Sequence, residues 1–185
     1  MRKPARPSAQ YFSLYSSPMG SGGVVAGAAG LIEVFLPFAG GNRAEMHAHI
    51  GKLHPGTRCS NELTERCAAL LQRYFAGERV EFPLELDKTG FSPFQTRVYE
   101  LVAAIPYGCV KTYAQVAAEM GCKGAARGVG TAMARNPLPI IIPCHRIVGA
   151  SGTMTGYSAA GGISSKRILL MMEGISLDAK GRVVS

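Results

Sequence analysis

The sequence has no apolar stretch long enough to cross a membrane. Residues 24–39 are rich in apolar side chains, but two glycines, a glutamate and a proline divide them into pieces of strand length. Residues 1–17 begin with basic side chains and lack the continuous apolar core of a secretory signal peptide. We therefore expect a soluble, cytoplasmic protein without a membrane partner.

Cysteine is also scarce. The chain has five cysteines, an odd number without regular spacing, which argues against a disulfide scaffold and favours a reduced compartment. Cys109 and Cys122 are expected to be packing residues. Three histidines and a cysteine in a Gly- and Pro-containing loop match no strong zinc-binding pattern, so we predict no metal site there. They are His47, His49, His54 and Cys59.

Acidic residues are few, and their scarcity is confined to one half of the chain. Residues 1–90 contain 10 basic and 8 acidic side chains, a net of +2. Residues 91–185 contain 10 basic and 4 acidic side chains, a net of +6. With 47% hydrophobic and 17% charged residues the chain is typical of globular proteins, and its second half is the part attracted to polyanions.

The first half has the pattern of a small α/β domain. Residues 11–39 predict a hairpin or meander, and residues 40–58 predict a loop with a short helix. Apolar residues fall on one helical face over 61–75, while alternation over 80–86 predicts a half-buried edge strand. We place the domain boundary after this strand, which gives a first domain of residues 1–88.

The sequence of the second half, residues 89–185, predicts mostly helix. A proline follows a cap residue at the start of a helix over 92–104. A second capping box opens a helix over 112–120, and a glycine-containing turn leads to a third over 124–135, a pattern typical of a helix-turn-helix. A buried strand is predicted over 138–142, and a final helix over 165–173.

The third helix carries an unusual exposed face of small residues beside Arg127. Its members are Ala125, Ala126, Gly128, Gly130 and Ala132. Such a face allows the backbone to approach DNA closely but carries almost no base-reading side chains, so it favours sequence-independent contact with a duplex. The alternative is helix–helix packing through small residues, with Arg127 solvated.

Cys144, His145 and Arg146 form the most informative segment of the chain. They follow an apolar run, and burying three consecutive polar side chains is costly unless they have partners or a chemical role. A cysteine beside positive charge is the setting that produces a thiolate nucleophile. The alternative is a small buried hydrophobic residue.

Glu173 stands at the carboxyl end of the final helix, where an acid interacts unfavourably with the helix dipole. This predicts a specific cationic or hydrogen-bond-donating partner for its carboxylate. The alternative is an exposed glutamate tolerated by solvent.

Eight short segments together resemble the O6-alkylguanine-DNA alkyltransferases, also called methylated-DNA–protein-cysteine methyltransferases. In order, they are Phe94-Gln95-x-x-Val98-Tyr99, Ile105-Pro106-Tyr107-Gly108, Thr112-Tyr113, Ala125-Ala126-Arg127-x-Val129-Gly130, Asn136-Pro137-x-Pro139-Ile140, Ile142-Pro143-Cys144-His145-Arg146, Gly156-Tyr157-Ser158 and Lys166-x-x-x-Leu170. The match is dense over 91–174 and looser over 11–87.

The resemblance implies a DNA repair protein that flips O6-alkylguanine, chiefly O6-methylguanine, out of duplex DNA. It would transfer the alkyl group irreversibly to its own cysteine in a single turnover, without cofactor or metal. The implied fold is an RNase H-like α/β domain followed by a mostly α, winged-helix-like domain that contains a helix-turn-helix. Binding in the minor groove is expected to be sequence-independent, and the free protein is expected to be monomeric.

The family pattern also assigns roles to individual residues. Cys144 is the acceptor, His145 acts through a water as its base, and Glu173 orients the histidine. Asn136 braces the active-site turn, and Tyr113 donates toward guanine N3. Arg127 replaces the extruded nucleotide in the base stack. Further DNA contacts are assigned to Thr112, Ala125, Ala126, Gly130 and Arg135, and the guanine pocket to Met133, the Ile147 carbonyl, Tyr157 and Ser158.

The chain departs from the family pattern in three places. Lys123-Gly124 stands where a proline and a basic residue are common, and Gly128 replaces an alanine after the arginine. Ala159-Ala160 precede Gly161-Gly162, which is a two-residue insertion in the loop that closes the guanine pocket.

Two other functions are compatible with parts of the sequence. One is a cysteine hydrolase using Cys144 and His145, although neighbouring residues of a strand point to opposite faces and no oxyanion-hole loop is evident. The other is a non-catalytic DNA-binding module or damage sensor, which would have no need of a nucleophile at position 144.

Overall fold

A computed structural model describes residues 9–37, 41–155 and 157–184. The chain divides into two compact units, residues 1–88 and 89–185.

The first unit is built on a three-stranded antiparallel meander. Its strands are β1 (Tyr11–Ser17), β2 (Gly20–Gly27) and β3 (Gly30–Phe35), in the order β1-β2-β3. Tight turns join neighbouring strands, as the glycine and proline signals predicted, so the meander is confirmed.

Two helices complete this unit, α1 (Arg43–Leu53) and α2 (Glu62–Phe75). Both begin with an asparagine capping box, which satisfies free backbone N–H groups at the helix start. Met46 and Ile50 of α1 pack with Val25 and Phe35 of the sheet to form a buried apolar cluster. The helix predicted over 61–75 is confirmed, and α1 is longer than the short helix expected over 40–58.

The strand predicted over 80–86 is wrong. This segment makes one isolated bridge, between Leu86 and Leu31, where the Leu31 N–H donates to the Glu85 carbonyl at 2.8 Å. Pro83 has no N–H to donate to a neighbouring strand, and the Leu84 N–H donates to the Phe82 carbonyl of its own segment at 2.9 Å. Alternating polarity therefore marks an extended segment that lies against the sheet.

The described part of the second unit contains four α-helices and a two-stranded parallel sheet. The helices are α3 (Pro93–Ala103), α4 (Tyr113–Glu119), α5 (Ala126–Ala134) and α6 (Gly162–Met172). The strands are β4 (Lys111–Thr112) and β5 (Ile147–Val148). Ser92 and Thr112 form the predicted capping boxes. All four helices were predicted, although α5 begins two residues later than expected and α6 three residues earlier.

The buried strand predicted over 138–142 is also wrong, although its burial is confirmed. Residues 138–142 form compact turns in which the Ile142 N–H donates to the Leu138 carbonyl at 2.8 Å. Pro137, Pro139 and Pro143 remove the N–H groups that a strand ladder needs. The chain becomes extended only after position 146, in β5.

Within the described ranges 9–37, 41–155 and 157–184, no helix combines the length and apolar character that a membrane span requires.

Candidate functional site

The segment Cys144–Arg146 forms a single 3₁₀ turn between the proline-rich turns and β5. The Cys144 N–H donates to the Ile142 carbonyl at 2.7 Å, and the Arg146 N–H donates to the Pro143 carbonyl at 2.8 Å. All three side chains are buried. Because the segment is not a strand, Cys144 and His145 are not constrained to opposite faces, and the expectation that strand geometry disfavours a cysteine hydrolase is wrong.

Glu173 caps the carboxyl end of α6, and its carboxylate binds the other two side chains of this turn, His145 and Arg146. One carboxylate oxygen accepts from His145 Nε2 at 2.8 Å, and the two oxygens accept from Arg146 at 2.8 and 2.9 Å. A third Arg146 nitrogen donates to the Ile105 carbonyl at 2.6 Å. The cationic partner predicted for Glu173 is therefore confirmed as Arg146, and the exposed alternative is wrong because Glu173 is buried.

His145 is neutral in this setting. Burial lowers the pKa of the imidazole below its ordinary value, which outweighs the opposing effect of Glu173. A carboxylate can only accept a hydrogen bond, so Nε2 carries the proton and Nδ1 is the basic nitrogen. Glu173 thereby fixes both the orientation of the ring and its tautomer.

Asn136 connects the end of α5 to the turn before the cysteine. Its side-chain nitrogen donates to the Ile142 carbonyl at 2.7 Å, and its oxygen accepts from the Leu138 N–H at 3.0 Å. The same side chain also hydrogen-bonds Cys144, which favours the thiolate. Asn136 thus holds the proline-rich turn and reaches the sulfur.

Cys144 itself is a protonated thiol at neutral pH. Burial raises its pKa above the ordinary value, and the hydrogen bond from Asn136 and the charge of Lys166 only partly offset this effect. The expectation that His145 and Arg146 supply the activating positive charge is wrong, since the imidazole is neutral and the guanidinium is paired with Glu173.

Lys166 is the functional candidate that the sequence analysis missed. It is fully buried on α6 and donates to the Ile147 carbonyl. Burial lowers the pKa of its ammonium to about 8, while the nearby Cys144 opposes that shift. A signal was available, because Lys166 precedes the buried Leu169 and Leu170 by three and four residues and therefore shares their face of the helix.

Tyr113, at the start of α4, donates its phenolic hydrogen bond to the Thr155 carbonyl at 3.0 Å. Gly130 of α5 is a neighbour of this ring, since a Cβ there would lie 3.8 Å from it, an ordinary contact distance. The phenol lies near enough to Cys144 for a thiolate there to raise the pKa of Tyr113, together with the larger effect of burial. The structure therefore places Tyr113, Gly130 and the cysteine turn in one neighbourhood.

The helix pair α4 and α5 carries the predicted DNA-contacting residues. Arg127 and Arg135 are exposed at opposite ends of α5. Ala132, predicted to be exposed, is buried, and its carbonyl accepts from the Tyr99 hydroxyl at 3.0 Å. The rest of the small-residue face is at least partly accessible, although the ring of Phe94 lies close against Gly128. Its members are Ala125, Ala126, Gly128 and Gly130.

The predicted pocket residues lie around the same turn. Met133 is buried on α5, and Ser158 donates to the Ala134 carbonyl at the end of that helix at 2.8 Å. The Lys166 ammonium lies 6.0 Å from the centre of the Tyr157 ring. Gly156, part of the motif that suggested this pocket, is outside the described residues.

His47 and His49 lie in α1 and not in the loop predicted for them, and the histidines of the first unit contact other side chains. His54 interacts with Glu33 at 2.7 Å and with Gln10 at 3.2 Å, while His47 packs edge-on against Phe12. The described residues include no group of three or more side chains suited to hold a metal ion. Cys109 and Cys122 are exposed, so the expectation that they are packing residues is wrong.

A family model and a curated protein that resemble this chain both describe methylguanine methyltransferases. Residues 93–175 match the family described as 6-O-methylguanine DNA methyltransferase, DNA binding domain. A methylated-DNA–protein-cysteine methyltransferase of Mycobacterium tuberculosis is 52% identical over 103 residues, which cover 56% of this chain and 61% of that protein. The matched segment thus spans about three fifths of the curated relative.

Solved structures align over more of the chain. The O6-methylguanine methyltransferase of Mycobacterium tuberculosis is 35% identical with a TM-score of 0.69, covering 89% of this chain and 92% of that one. The OGT of Mycobacterium tuberculosis in complex with DNA is 36% identical with a TM-score of 0.70, covering 88% of this chain and 92% of that one.

Proposed function

Since the chain belongs to the family of methylated-DNA–protein-cysteine methyltransferases, we propose that it repairs O6-alkylguanine in DNA by moving the alkyl group to its own Cys144. The observation that carries this proposal is the buried turn that joins Cys144 to His145, whose ring is fixed by Glu173 at 2.8 Å. The sulfur becomes a permanent thioether, so each molecule acts once.

The reaction exchanges one bond for another. The sulfur of Cys144 attacks the alkyl carbon, a sulfur–carbon bond forms, and the bond between that carbon and guanine O6 breaks. The thiol proton passes to His145 Nδ1, through a water, and the electron pair of the broken bond stays on guanine. The proton that left the thiol then passes from His145 through water to the guanine anion, which restores normal guanine, returns His145 to its neutral form and balances the step.

Lys166 and Tyr113 assist at the two ends of the reaction. The Lys166 ammonium favours the thiolate in a site where burial otherwise holds the thiol protonated. Tyr113 is suited to donate toward guanine N3 as negative charge develops on the base. The Tyr113 hydroxyl then turns its hydrogen bond from the Thr155 carbonyl, its present acceptor, to guanine N3 and keeps its proton.

The reaction geometry requires a base outside the double helix. The alkyl carbon on O6 lies at the paired edge of guanine, and the sulfur must approach it from behind the carbon–oxygen bond. Neither condition can be met inside a duplex, so the nucleotide is flipped out. Met133, the Ile147 carbonyl, Tyr157 and Ser158 would then line the guanine site.

Duplex binding is proposed for the α4–α5 pair, acting as a helix-turn-helix without sequence specificity in the minor groove. The accessible small residues of α5 allow its backbone to approach DNA closely, with Thr112 and Arg135 at its edges. Arg127 occupies the space of the extruded nucleotide. We also propose that the two units are RNase H-like and winged-helix-like, and that the free protein is monomeric.

Incubation with duplex DNA carrying a radiolabelled O6-methyl group tests this function. We expect one label per protein molecule on the peptide that contains Cys144, and no label on Cys144→Ser. Repeated turnover with label released to solution would support a hydrolase instead. Tight binding of the damaged duplex without any transfer would support a damage sensor.

Arg127→Ala separates the DNA-binding role from the chemistry. We expect this variant to repair O6-methylguanine in a duplex much more slowly, by about tenfold or more, because the gap left by the flipped base is no longer filled. Its reaction with free O6-benzylguanine should match that of the unaltered protein, since no stack has to be opened. Equal losses on both substrates would contradict the proposed role of Arg127.

A further inference from the structure

The segment after α6 folds back as a small hairpin over residues 175–184. Leu177 and Val183 form an antiparallel bridge, and the Val184 N–H donates to the Ser176 carbonyl at 3.1 Å. A tight turn closes the hairpin, with the Asp178 N–H donating to the Arg182 carbonyl at 2.8 Å. The alkyl-transfer chemistry proposed above does not use this hairpin.

Asp178 organises that turn with its side chain. One carboxylate oxygen accepts from the Lys180 N–H at 2.9 Å and from the Arg182 N–H at 2.8 Å. The other oxygen pairs with the Arg182 guanidinium at 2.7 Å. A Cβ at Gly181 would lie 3.3 Å from the guanidinium carbon of Arg167, so the end of that side chain lies close to the turn.

The hairpin docks onto residues 149–155, which follow β5. The Val183 N–H donates to the Gly152 carbonyl at 3.0 Å. Gly152 has a left-handed backbone, with φ of +71°, and a Cβ there would lie 2.5 Å from the Val183 oxygen. Only glycine allows this close contact without a shift of one side.

Residues 149–155 lead directly to Thr155, whose carbonyl holds the Tyr113 phenol at 3.0 Å. When Tyr113 turns its proton toward a guanine, Thr155 loses this contact. The contact between Gly152 and Val183 involves no group that touches the substrate, so it can persist through that exchange.

We propose that the hairpin 175–184 is a positioning element of the alkyl-transfer site, holding residues 149–155 in place while Tyr113 changes hydrogen-bond partner. This inference rests on the proposed function. Residues such as Asp178 and Val183 act on the reaction only through residues 149–155. Without the contact between Gly152 and Val183, residues 149–155 are less well positioned when guanine enters the site. This weakens binding of the base more than it slows the transfer step.

Asp178→Ala and Gly152→Ala test the proposal from the two sides of the contact. With O6-benzylguanine as substrate, each variant should raise the concentration needed for half-maximal rate by about three- to tenfold, the range of one hydrogen bond. The maximal rate should change less than twofold. Asp178→Ala loosens the turn beside Val183, and Gly152→Ala places a side chain against the Val183 oxygen. Both therefore weaken the contact between Gly152 and Val183, and the double variant should be no worse than the poorer single variant.

Matched controls distinguish positioning from general damage. Asp178→Asn keeps the oxygen that accepts both backbone N–H groups and should restore most of the affinity. Lys180→Ala leaves the backbone contact of that residue intact and should behave as the unaltered protein. Alkylation of Cys144 by iodoacetamide, which needs no guanine site, should be equally fast in all variants.

The outcomes separate the two proposals. If the unaltered protein does not acquire the benzyl group on Cys144, the proposed function fails. If it does, and Asp178→Ala and Gly152→Ala react with unchanged half-maximal concentration, the positioning role is wrong. Additive losses in the double variant, or a matching loss of iodoacetamide reactivity, would also overturn it, because they indicate general loosening of the fold.

Discussion

Replacing Glu173 with alanine should both destabilise the protein and abolish repair. The substitution leaves the Arg146 guanidinium buried without its carboxylate and removes the acceptor for His145 Nε2–H. Breaking a buried ion pair from one side typically costs about 3–5 kcal/mol, because a charge remains in a poorly solvating interior. The free energy of unfolding, measured by urea titration, should fall by about that amount.

Alkyl transfer should fall for a separate reason. Without Glu173 the imidazole loses its fixed tautomer, so the base that accepts the thiol proton is no longer aligned, and the rate constant should drop by about 10²-fold or more. Glu173→Gln serves as the variant that stays folded, since an amide retains an accepting oxygen and the shape of the side chain. It should lose less stability than Glu173→Ala and still transfer the alkyl group slowly.

The matched control is Glu119→Ala. Glu119 pairs with Lys111 at 2.7 Å, but both side chains are substantially exposed. Deleting a surface pair of this kind typically costs about 0–1 kcal/mol. If Glu119→Ala and Glu173→Ala destabilise the fold equally, or if Glu173→Gln repairs O6-methylguanine at the normal rate, the role assigned to Glu173 is wrong.

Lys166→Met should slow alkylation of Cys144 in a way that depends on pH. The Lys166 ammonium has a pKa lowered to about 8, so it is charged below that pH and neutral above it. While charged it lowers the pKa of the Cys144 thiol, so its removal raises that pKa and reduces the thiolate population. At pH 7 we therefore expect the variant to react severalfold more slowly with O6-benzylguanine, because the thiolate is the nucleophile.

The ratio of the two rate constants provides the test. Because the unaltered lysine loses its charge as the pH rises through about 8, the advantage over Lys166→Met should shrink above that pH. Measurements between about pH 6 and 10 cover the transition. Lys180→Met, which removes an exposed lysine, should track the unaltered protein throughout. A ratio that does not change with pH would show that Lys166 acts without its charge.

The parts of the fold that were predictable are those determined by local chemistry. Ser92 and Thr112 each cap a helix at the position that the sequence indicated. Glycine-containing turns set the meander of β1, β2 and β3 in the same way. These features depend on a few neighbouring residues, so a single sequence contains the information.

The two false strands failed because strand formation depends on a partner. Residues 80–86 alternate correctly but pair with the sheet at only one position, Leu86. Residues 138–142 are as apolar as a buried strand, yet the flanking prolines cannot donate to a ladder and Ile140 takes a left-handed backbone with φ of 74°. Apolar burial was predictable from composition, whereas hydrogen-bond partners were not.

In the candidate site, too, the features set by neighbouring residues were predictable and those set by distant contacts were not. Cys144, His145 and Arg146 could be singled out because consecutive polar residues in an apolar run need a reason. The family resemblance implied that Glu173 orients His145. The residues alone could not supply that role, nor the pairing of Arg146 with Glu173, because both depend on contacts between positions 28 and 27 residues apart in the chain. Lys166 was overlooked since a lysine in a helix is ordinarily solvated, although its spacing from Leu169 and Leu170 places it on their buried face.

Intact-protein mass spectrometry after incubation with an excess of duplex containing O6-methylguanine tests the central claim most directly. The account predicts that every active molecule gains the mass of one methyl group, located on Cys144, while an equal amount of lesion becomes guanine and repair then stops. An unchanged protein mass beside an intact lesion would contradict it. So would continued repair by a protein that stays unmodified.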